Sequence, residues 1–574
     1  MPRLPNLGIE ISRIGPDPGV QKHVQFKAGL GYRRTMNLGE LQRTWSALVT
    51  VSLGIFAITL DGSMMPVAIG AIIDGLKTQV SFVQAAMALH SLVMASMYLA
   101  AGKLGDRLGE KRVFVAGGVL FAAGTMIAAL SPNIWVLLLG WSFIKPLGGA
   151  LMIPTASSLI ILNYEDRRRT TAFGFYSAFV AAAAVLGPLW MGTMDTALSW
   201  RWAFASETLI ILLLLYFASM VEEADRPRTV AFDVTGALLT FVGLGLVVLG
   251  ATLAGEFGWW GARRPFYIGD TVFAPGGRSA AFWFVAAGVG TLLVFAAWSM
   301  RQARRGKPVL FRMGLIRRPL FAGGVTLGFL FQVTVGGLLF VLPVFLQSAL
   351  YLDSMSTALV LLPYTLGIFV FALTATRLPA DLPPRRIVQI GLVLMLGGGF
   401  WVYRTAGLEL AWQNLVPALF GFGAGAGLVL ARLTEITLSP LAPDELGAGA
   451  GGDSTGKELG VAMGVAVLGS AFMLMVYTDV VVAYDAHEGL PVATSEERAR
   501  AVVELEDWAA KLSDEQWRAY LASLPEATAR AYGEIVAQAY VTGYRSVLRI
   551  LLGVVGVMLL VSSWLKPPEA RGET

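Results

Sequence analysis

Gly102-Lys103-Leu104-Gly105-Asp106-Arg107-Leu108-Gly109-Glu110-Lys111-Arg112 separates two apolar runs, at about 83–103 and 113–131. Each run has the length that a helix rising about 1.5 Å per residue needs to cross a bilayer. The glycines permit a tight turn between antiparallel helices. The bases Lys103, Arg107, Lys111 and Arg112 mark that turn as cytoplasmic. Thr376 to Arg386 (TRLPADLPPRR) echoes it without gaps, at Lys103/Arg377, Leu104/Leu378, Leu108/Leu382, Lys111/Arg385 and Arg112/Arg386. Such a repeat is what a transporter built from two related halves carries.

Apolar runs near 44–69, 83–103, 113–131, 134–162, 171–195, 202–220, 233–253, 281–300, 320–349, 354–376, 387–406, 412–438, 447–477 and 541–565 make fourteen candidate spans. The expected fold is an all-α membrane protein with two six-helix bundles and two inserted helices. Its expected divisions are a cytoplasmic N-terminal segment (1–43), a first bundle (44–220), spans 7 and 8 with their linkers (221–306), a second bundle (307–566) and a cytoplasmic tail (567–574). Bases cluster after even-numbered spans, as at Arg167, Arg168 and Arg169, or Arg304, Arg305 and Lys307, which puts both termini in the cytoplasm. Arg263, Arg264 and Arg278, after span 7, run against that bias.

Composition agrees with a polytopic membrane protein. Of 574 residues, 55% are hydrophobic and 14% charged, where soluble domains carry about a quarter charged. The pI near 9.3 comes from bases in short loops and does not imply nucleic acid. Cysteine is absent, and His23, His90 and His487 lie far apart, so neither a disulfide framework nor metal-ligand spacing is present. No phosphate loop or nucleophile–base arrangement occurs, which argues against an enzyme and against ATP-driven transport. No cofactor is expected, the energy source being a proton gradient. Residues 1–43 read as loosely ordered, with Met36 a second candidate start, and their polarity argues against a cleavable signal. The expected protein is monomeric, in a bacterial plasma membrane.

Charges inside the spans are the candidate functional residues, because each is costly in hydrocarbon. The leading one is Asp61, in Leu60-Asp61-Gly62-Ser63-Met64-Met65-Pro66-Val67-Ala68 near the outer end of span 1. Counted inward at 1.5 Å per residue, Asp61 lies about 12 Å deep, His90 about 11 Å, Lys145 about 16 Å and Glu207 about 7 Å. Lys145 is the expected cationic partner of Asp61 or Glu207, and His90 adds a group that titrates near neutrality. A second set lies toward the cytoplasm: Arg432, Glu435, Asp453, Lys457 and Glu458. These either neutralise each other at i,i+3 and i,i+4 or form an inner gate with Asp106 and Arg107.

The only large hydrophilic loop, 478–540, is acidic and falls outside. Thr494-x-x-Glu497 is a capping box ahead of Val502, Leu505, Trp508 and Leu512, and Ser513-x-x-Gln516 opens a second helix with Trp517, Tyr520, Leu521 and Leu524 before Pro525. This reads as a helical hairpin that caps the outer mouth, contacts lipid, or docks an extracytoplasmic partner at 494–524.

The turn Gly102 to Arg112 resembles the signature between spans 2 and 3 of the major facilitator superfamily, with Gly102, Asp106, Arg107, Gly109, Lys111 and Arg112 in place. The resemblance implies that Asp106 and Arg107 engage a helix of the other half and stabilise the outward-facing state. Ala181 to Gly192 (AAAAVLGPLWMG), with Gly187, Pro188 and Gly192, resembles the span 5 antiporter motif. Ser199-Trp200-Arg201-Trp202, Gly447 to Gly464 and the Asp61 stretch resemble spans 6, 13 and 1 of the fourteen-span drug:proton antiporters. The chain departs from that family at Ser142 and Lys145, where an Arg and a Gln are usual, at Pro146 for a Gly, and at Pro66 and Glu207 for Asn.

The expected function is proton-coupled export of hydrophobic or amphiphilic small molecules by alternating access. Export of lipids or other amphiphilic metabolites is an alternative. A receptor or scaffold on a transporter fold is another, and a sealed, self-neutralised cluster would favour it.

Overall fold

A computed structural model describes residues 9–10, 23–26, 35–164, 166–221, 233–268, 271–273, 275–378, 382–409, 412–442, 445–488, 494–509 and 514–564. The tail 567–574 and Ser513 lie outside the described residues, as do the side chains of Asp106, Arg167 and Arg377.

Among the described residues, fourteen helices are long and apolar enough to cross a membrane: Trp45–Leu76, Val80–Gly105, Glu110–Ala129, Ile134–Asn163, Thr171–Ala197, Trp200–Ser219, Val234–Phe257, Ala280–Arg304, Pro319–Ser348, Ser354–Ala375, Pro384–Thr405, Gln413–Leu438, Gly447–His487 and Glu526–Ser563. They are numbered here as spans 1–14. Side-chain caps start several of them. Asn133 Oδ1 accepts from Val136 N at 3.1 Å, Asp233 Oδ1 from Gly236 N at 2.9 Å, and Asp353 Oδ1 from Ser356 N at 2.7 Å. Each such cap contributes about 1 kcal/mol. The turn between spans 2 and 3 pivots on Gly109, whose φ of 100° suits glycine alone.

Three boundaries differ from the hydropathy reading. Span 1 does not stop near Ile69. Pro66 lacks an N–H, and the chain tightens into a 3₁₀ turn at Met65–Ala68 but continues as helix to Leu76. Asp61 therefore lies about 22 Å from the outer end of its helix, deeper than expected. Spans 13 and 14 run past the apolar windows, to His487 and back from Glu526. A 39-residue helix, Glu526–Trp564, is about 58 Å long, so it projects well beyond a hydrocarbon core of about 30 Å. Residues 1–43, expected to be loosely ordered, contain three short antiparallel strands at Ile9–Glu10, His23–Phe26 and Thr35–Asn37, with Val24 opposite Met36.

Spans 1–6 pack among themselves, as do spans 9–14, and the two groups meet along spans 2 and 13 and along spans 5 and 10. Spans 7 and 8 pair with each other, and span 7 lies against spans 2 and 13. Small residues set the seam. A Cβ at Gly192 would come within 2.9 Å of Met355 Cα, so span 5 meets span 10 backbone to backbone. Gln84 Nε2 donates to Val465 O and Ala466 O at 2.9 Å each, and Gln347 Nε2 donates to Val67 O at 2.9 Å.

Outside, the capping box forms as its sequence implies. Thr494 N and Oγ1 both donate to Glu497 Oε2 at 2.8 Å, opening the helix Ser495–Ala509. A second helix, Asp514–Ser523, follows. Arg264 holds this hairpin to the loop after span 7, donating to Asp507 Oδ1 at 2.5 Å, Glu506 Oε2 at 2.8 Å and Val503 O at 3.0 Å. Arg263 lies 3.6 Å from Glu506. Two of the three bases that broke the charge bias, Arg263 and Arg264, are thus partners of the acidic hairpin. Trp517 stacks on Tyr520 and Trp508 meets both edge-on, with centroids 5.7–5.8 Å apart.

Candidate functional site

Asp61, Lys145 and Glu207 come from three different spans and meet in the interior of the first six-span group. Lys145 Nζ lies 2.5 Å from Asp61 Oδ1 and 2.5 Å from Glu207 Oε2. Relative exposures of 0% for Lys145, 1% for Asp61 and 0% for Glu207 remove all three from water. The sequence left open whether Lys145 serves one acid or the other; it bonds both. Phe121 and Phe204 cover it, with ring centroids 4.8 and 5.0 Å from Nζ, where a cation is attracted to the ring face.

Each carboxylate has one bonded and one open oxygen. Asp61 Oδ1 also accepts from Trp141 Nε1 at 2.8 Å, while Oδ2 faces His90 Nε2 at 3.9 Å. Glu207 Oε2 holds Lys145, while the buried Oε1 has no hydrogen-bond partner. Two acids share one cation, so the cluster is not self-neutralised when both acids are ionised. A single added proton makes it neutral, and either open oxygen can take that proton without displacing an existing bond.

A local irregularity builds the site. Span 4 is π-helical over Leu138–Ile144, immediately before Lys145. Such bulges change helical register and free a carbonyl. Trp141 O is turned to His90 Nδ1 at 2.9 Å, and the indole stacks on the imidazole at 4.4 Å. Gly124 on span 3 faces the backbone of Lys145 so closely that any Cβ there would collide with Lys145 N and Cα. Gly187, followed by Pro188, brings span 5 close against the Asp61 stretch of span 1. A Cβ on Gly187 would meet Leu60 O at 2.8 Å, and Ser63 Oγ donates to Ala183 O at 3.1 Å.

Trp141, Phe121 and Phe204 were missed by the sequence reading. Trp141 carries one signal, its position four residues before Lys145, which puts both on one helical face.

The second set of charged residues, Arg432 to Glu458, does not join this cluster. Arg432 Nη1 bonds Glu435 Oε2 at 2.8 Å within span 12, and Lys457 Nζ bonds Asp453 Oδ2 at 2.6 Å within span 13. Lys457 also reaches Thr434 Oγ1 at 2.6 Å. Glu458 lies beside the side chains of Ser91 and Tyr98 on span 2, across the seam. Among the described residues no ion pair joins Arg107 to this set. Around the signature turn, Lys111 Nζ donates to Val221 O, and Gly102 lies against Pro154. No group of three or more metal-ligating side chains occurs among the described residues.

The sequence profile of the Major Facilitator Superfamily matches residues 51–476. A probable actinorhodin transporter of Streptomyces coelicolor is 28% identical over 439 residues, covering 75% of this chain and 72% of that one. The tetracenomycin C resistance and export protein of Streptomyces glaucescens is 27% identical, covering 76% and 78%. The multidrug efflux pump LfrA of Mycolicibacterium smegmatis is 25% identical, covering 85% and 89%. Among solved structures, a bacterial homologue of the human lysosomal transporter Spinster aligns over 92% of this chain and 99% of its own, with a TM-score of 0.55 and 15% identity. That last likeness concerns the fold.

Proposed function

The chain belongs to the major facilitator superfamily, and on that premise we propose that it is a proton-coupled exporter of hydrophobic or amphiphilic small molecules. Relatives named for actinorhodin, tetracenomycin C and multidrug efflux support this substrate class. Antibiotics and drug-like amphiphiles are therefore preferred over lipids. Its membrane is a bacterial plasma membrane, with both termini on the cytoplasmic side as the loop charges favour.

One observation carries the mechanism: two buried carboxylates share one ammonium, and each keeps an oxygen open. A proton arriving at Asp61 Oδ2 or Glu207 Oε1 weakens a charge-assisted bond to Lys145. The protonated and deprotonated clusters therefore hold spans 1, 4 and 6 with different strengths. Alternating access follows if the deprotonated cluster binds these spans in one conformation and the protonated one relaxes them in the other. Protons then enter from outside and leave inside as substrate moves the other way. The scaffold alternative has less support, because the relatives above are named for transport, export and efflux.

The test is transport into proteoliposomes with an acidic lumen, with an aromatic antibiotic and a fluorescent phospholipid assayed side by side. Accumulation of the antibiotic by the wild type, lost in Asp61→Asn while the variant remains folded, is the expected result. Undiminished proton-driven uptake by Asp61→Asn would rule out the assigned role. Movement of the phospholipid alone would replace the drug reading with the lipid one.

A further inference from the structure

His90 stands between the sealed cluster and the seam where the two halves meet. Its side chain is 12% exposed, against 0–1% for Asp61, Lys145 and Glu207, so it is the least enclosed of the four. Its geometry is one-sided. Trp141 O is a carbonyl and can only accept, so the 2.9 Å contact makes His90 Nδ1 the donor. The neutral ring then carries its lone pair on Nε2, and Nε2 is the nitrogen 3.9 Å from Asp61 Oδ2. Stacking on Trp141 at an interplanar angle of 28° fixes the ring plane. The next residue, Ser91, lies beside Glu458 of span 13, across the seam. One turn of span 2 therefore touches the proton cluster on one side and the opposite half on the other.

We propose that His90 is the proton relay into the cluster: Nε2 takes a proton from water in the seam and passes it to Asp61 Oδ2. The step balances. Nε2–H forms as a hydronium proton is consumed; that bond then breaks as Oδ2–H forms, and the imidazole returns to its neutral Nδ1–H form. A ring shift of about 1 Å brings Nε2 from its resting distance to hydrogen-bonding range of Oδ2. The charged groups facing His90 are Asp61 from span 1 and Lys145 from span 4, with Glu207 from span 6 behind Lys145. The relay empties when Oδ2 of an ionised Asp61 comes within hydrogen-bonding range of the protonated Nε2. His90 is a relay rather than the proton's resting place, and this role rests on the reading of Asp61 and Lys145 given above.

His90→Asn separates the functions, because its amide N–H can replace Nδ1–H toward Trp141 O while nothing replaces Nε2. His90→Gln is the second variant, should the first fail to fold. In proteoliposomes two rates are measured over a pH series: antibiotic uptake driven by a pH gradient, and substrate counterflow without a gradient. The expected result is a loss of at least about tenfold in gradient-driven uptake, with the pH dependence near neutrality flattened and counterflow retained. A pH-dependent quench of Trp141 fluorescence, taken as the difference between wild type and Trp141→Phe, should vanish in His90→Asn. Unchanged gradient-driven uptake and pH profile in His90→Asn, with Asp61→Asn inactive, would overturn the relay alone. Equal loss of uptake and counterflow would assign His90 a structural role and also overturn it. Activity surviving in both variants would overturn the underlying reading of Asp61.

Discussion

Lys145 is the residue on which the first half turns. Its ammonium is held by two carboxylates and two aromatic faces, with none of its side chain exposed. Removing one member of such a buried set leaves uncompensated charge and costs about 3–5 kcal/mol. Lys145→Met should therefore lower the thermal midpoint markedly in detergent. Adding Asp61→Asn and Glu207→Gln should recover much of that stability, though not transport. A Lys145→Met protein as stable as the wild type would show that the three groups are not ionised together. This cluster was legible in sequence because charges in apolar runs are rare and stand out. Trp141, Phe121 and Phe204 were not, since an aromatic in an apolar run looks like any core residue. Nor could spacing alone decide that Lys145 reaches both acids, a matter of how spans 1, 4 and 6 converge.

At the scale of helices, glycine contacts place these groups. Spans 3 and 4 touch through Gly117, Gly124 and Gly148, and spans 11 and 12 through Gly391, Gly398 and Gly425. Gly117/Gly391 and Gly124/Gly398 are separated by the same 274 positions as Lys103 and Arg377, so the faint loop repeat extends into helix packing. Gly124→Ala should weaken both stability and proton-driven uptake, because its methyl would meet the Lys145 backbone. Gly118→Ala, on the same helix, places its methyl 3.5 Å from its nearest neighbours and should be neutral or stabilising, as alanine gains up to about 1 kcal/mol in helix propensity. Equal effects of the two substitutions would show that the close approach does not matter. Helix number and most boundaries were readable from hydropathy. The π-helical stretch Leu138–Ile144 was not, since nothing in its composition distinguishes it from regular helix. The continuation of span 1 past Ile69 was missed because Gly70, Asp74 and Gly75 interrupt the apolar run.

Across the whole molecule, two related halves meet along spans 2 and 13 and spans 5 and 10, and an outer hairpin ties the second half to the inserted helices. Arg264→Ala should free that hairpin, seen as faster proteolysis within 494–524 with the transmembrane helices intact; an unchanged cleavage rate would mean the ion pairs do not hold it. The same hairpin should loosen in acid. The amide and hydroxyl of Thr494 hold the Glu497 carboxyl below its ordinary value of 4.5. Its support for the helix Ser495–Ala509 is thus full above that value and lost as pH falls through the lowered one. Amide exchange at the start of that helix should accelerate over this range, and constant protection would contradict the capping role. The hairpin's helices were legible from capping and periodicity. Its attachment was not, because Arg264 and Glu506 are distant in sequence and looked like an exception to charge bias and an acidic surface.

The central claim is that substrate and proton movements are coupled through Asp61, Lys145 and Glu207, and coupling is reciprocal. The direct measurement imposes an antibiotic gradient across proteoliposomes with no initial pH difference and follows luminal pH with a trapped dye. Antibiotic efflux should drive proton uptake in the wild type and none in Asp61→Asn; antibiotic flux without any proton movement in the wild type would contradict the account.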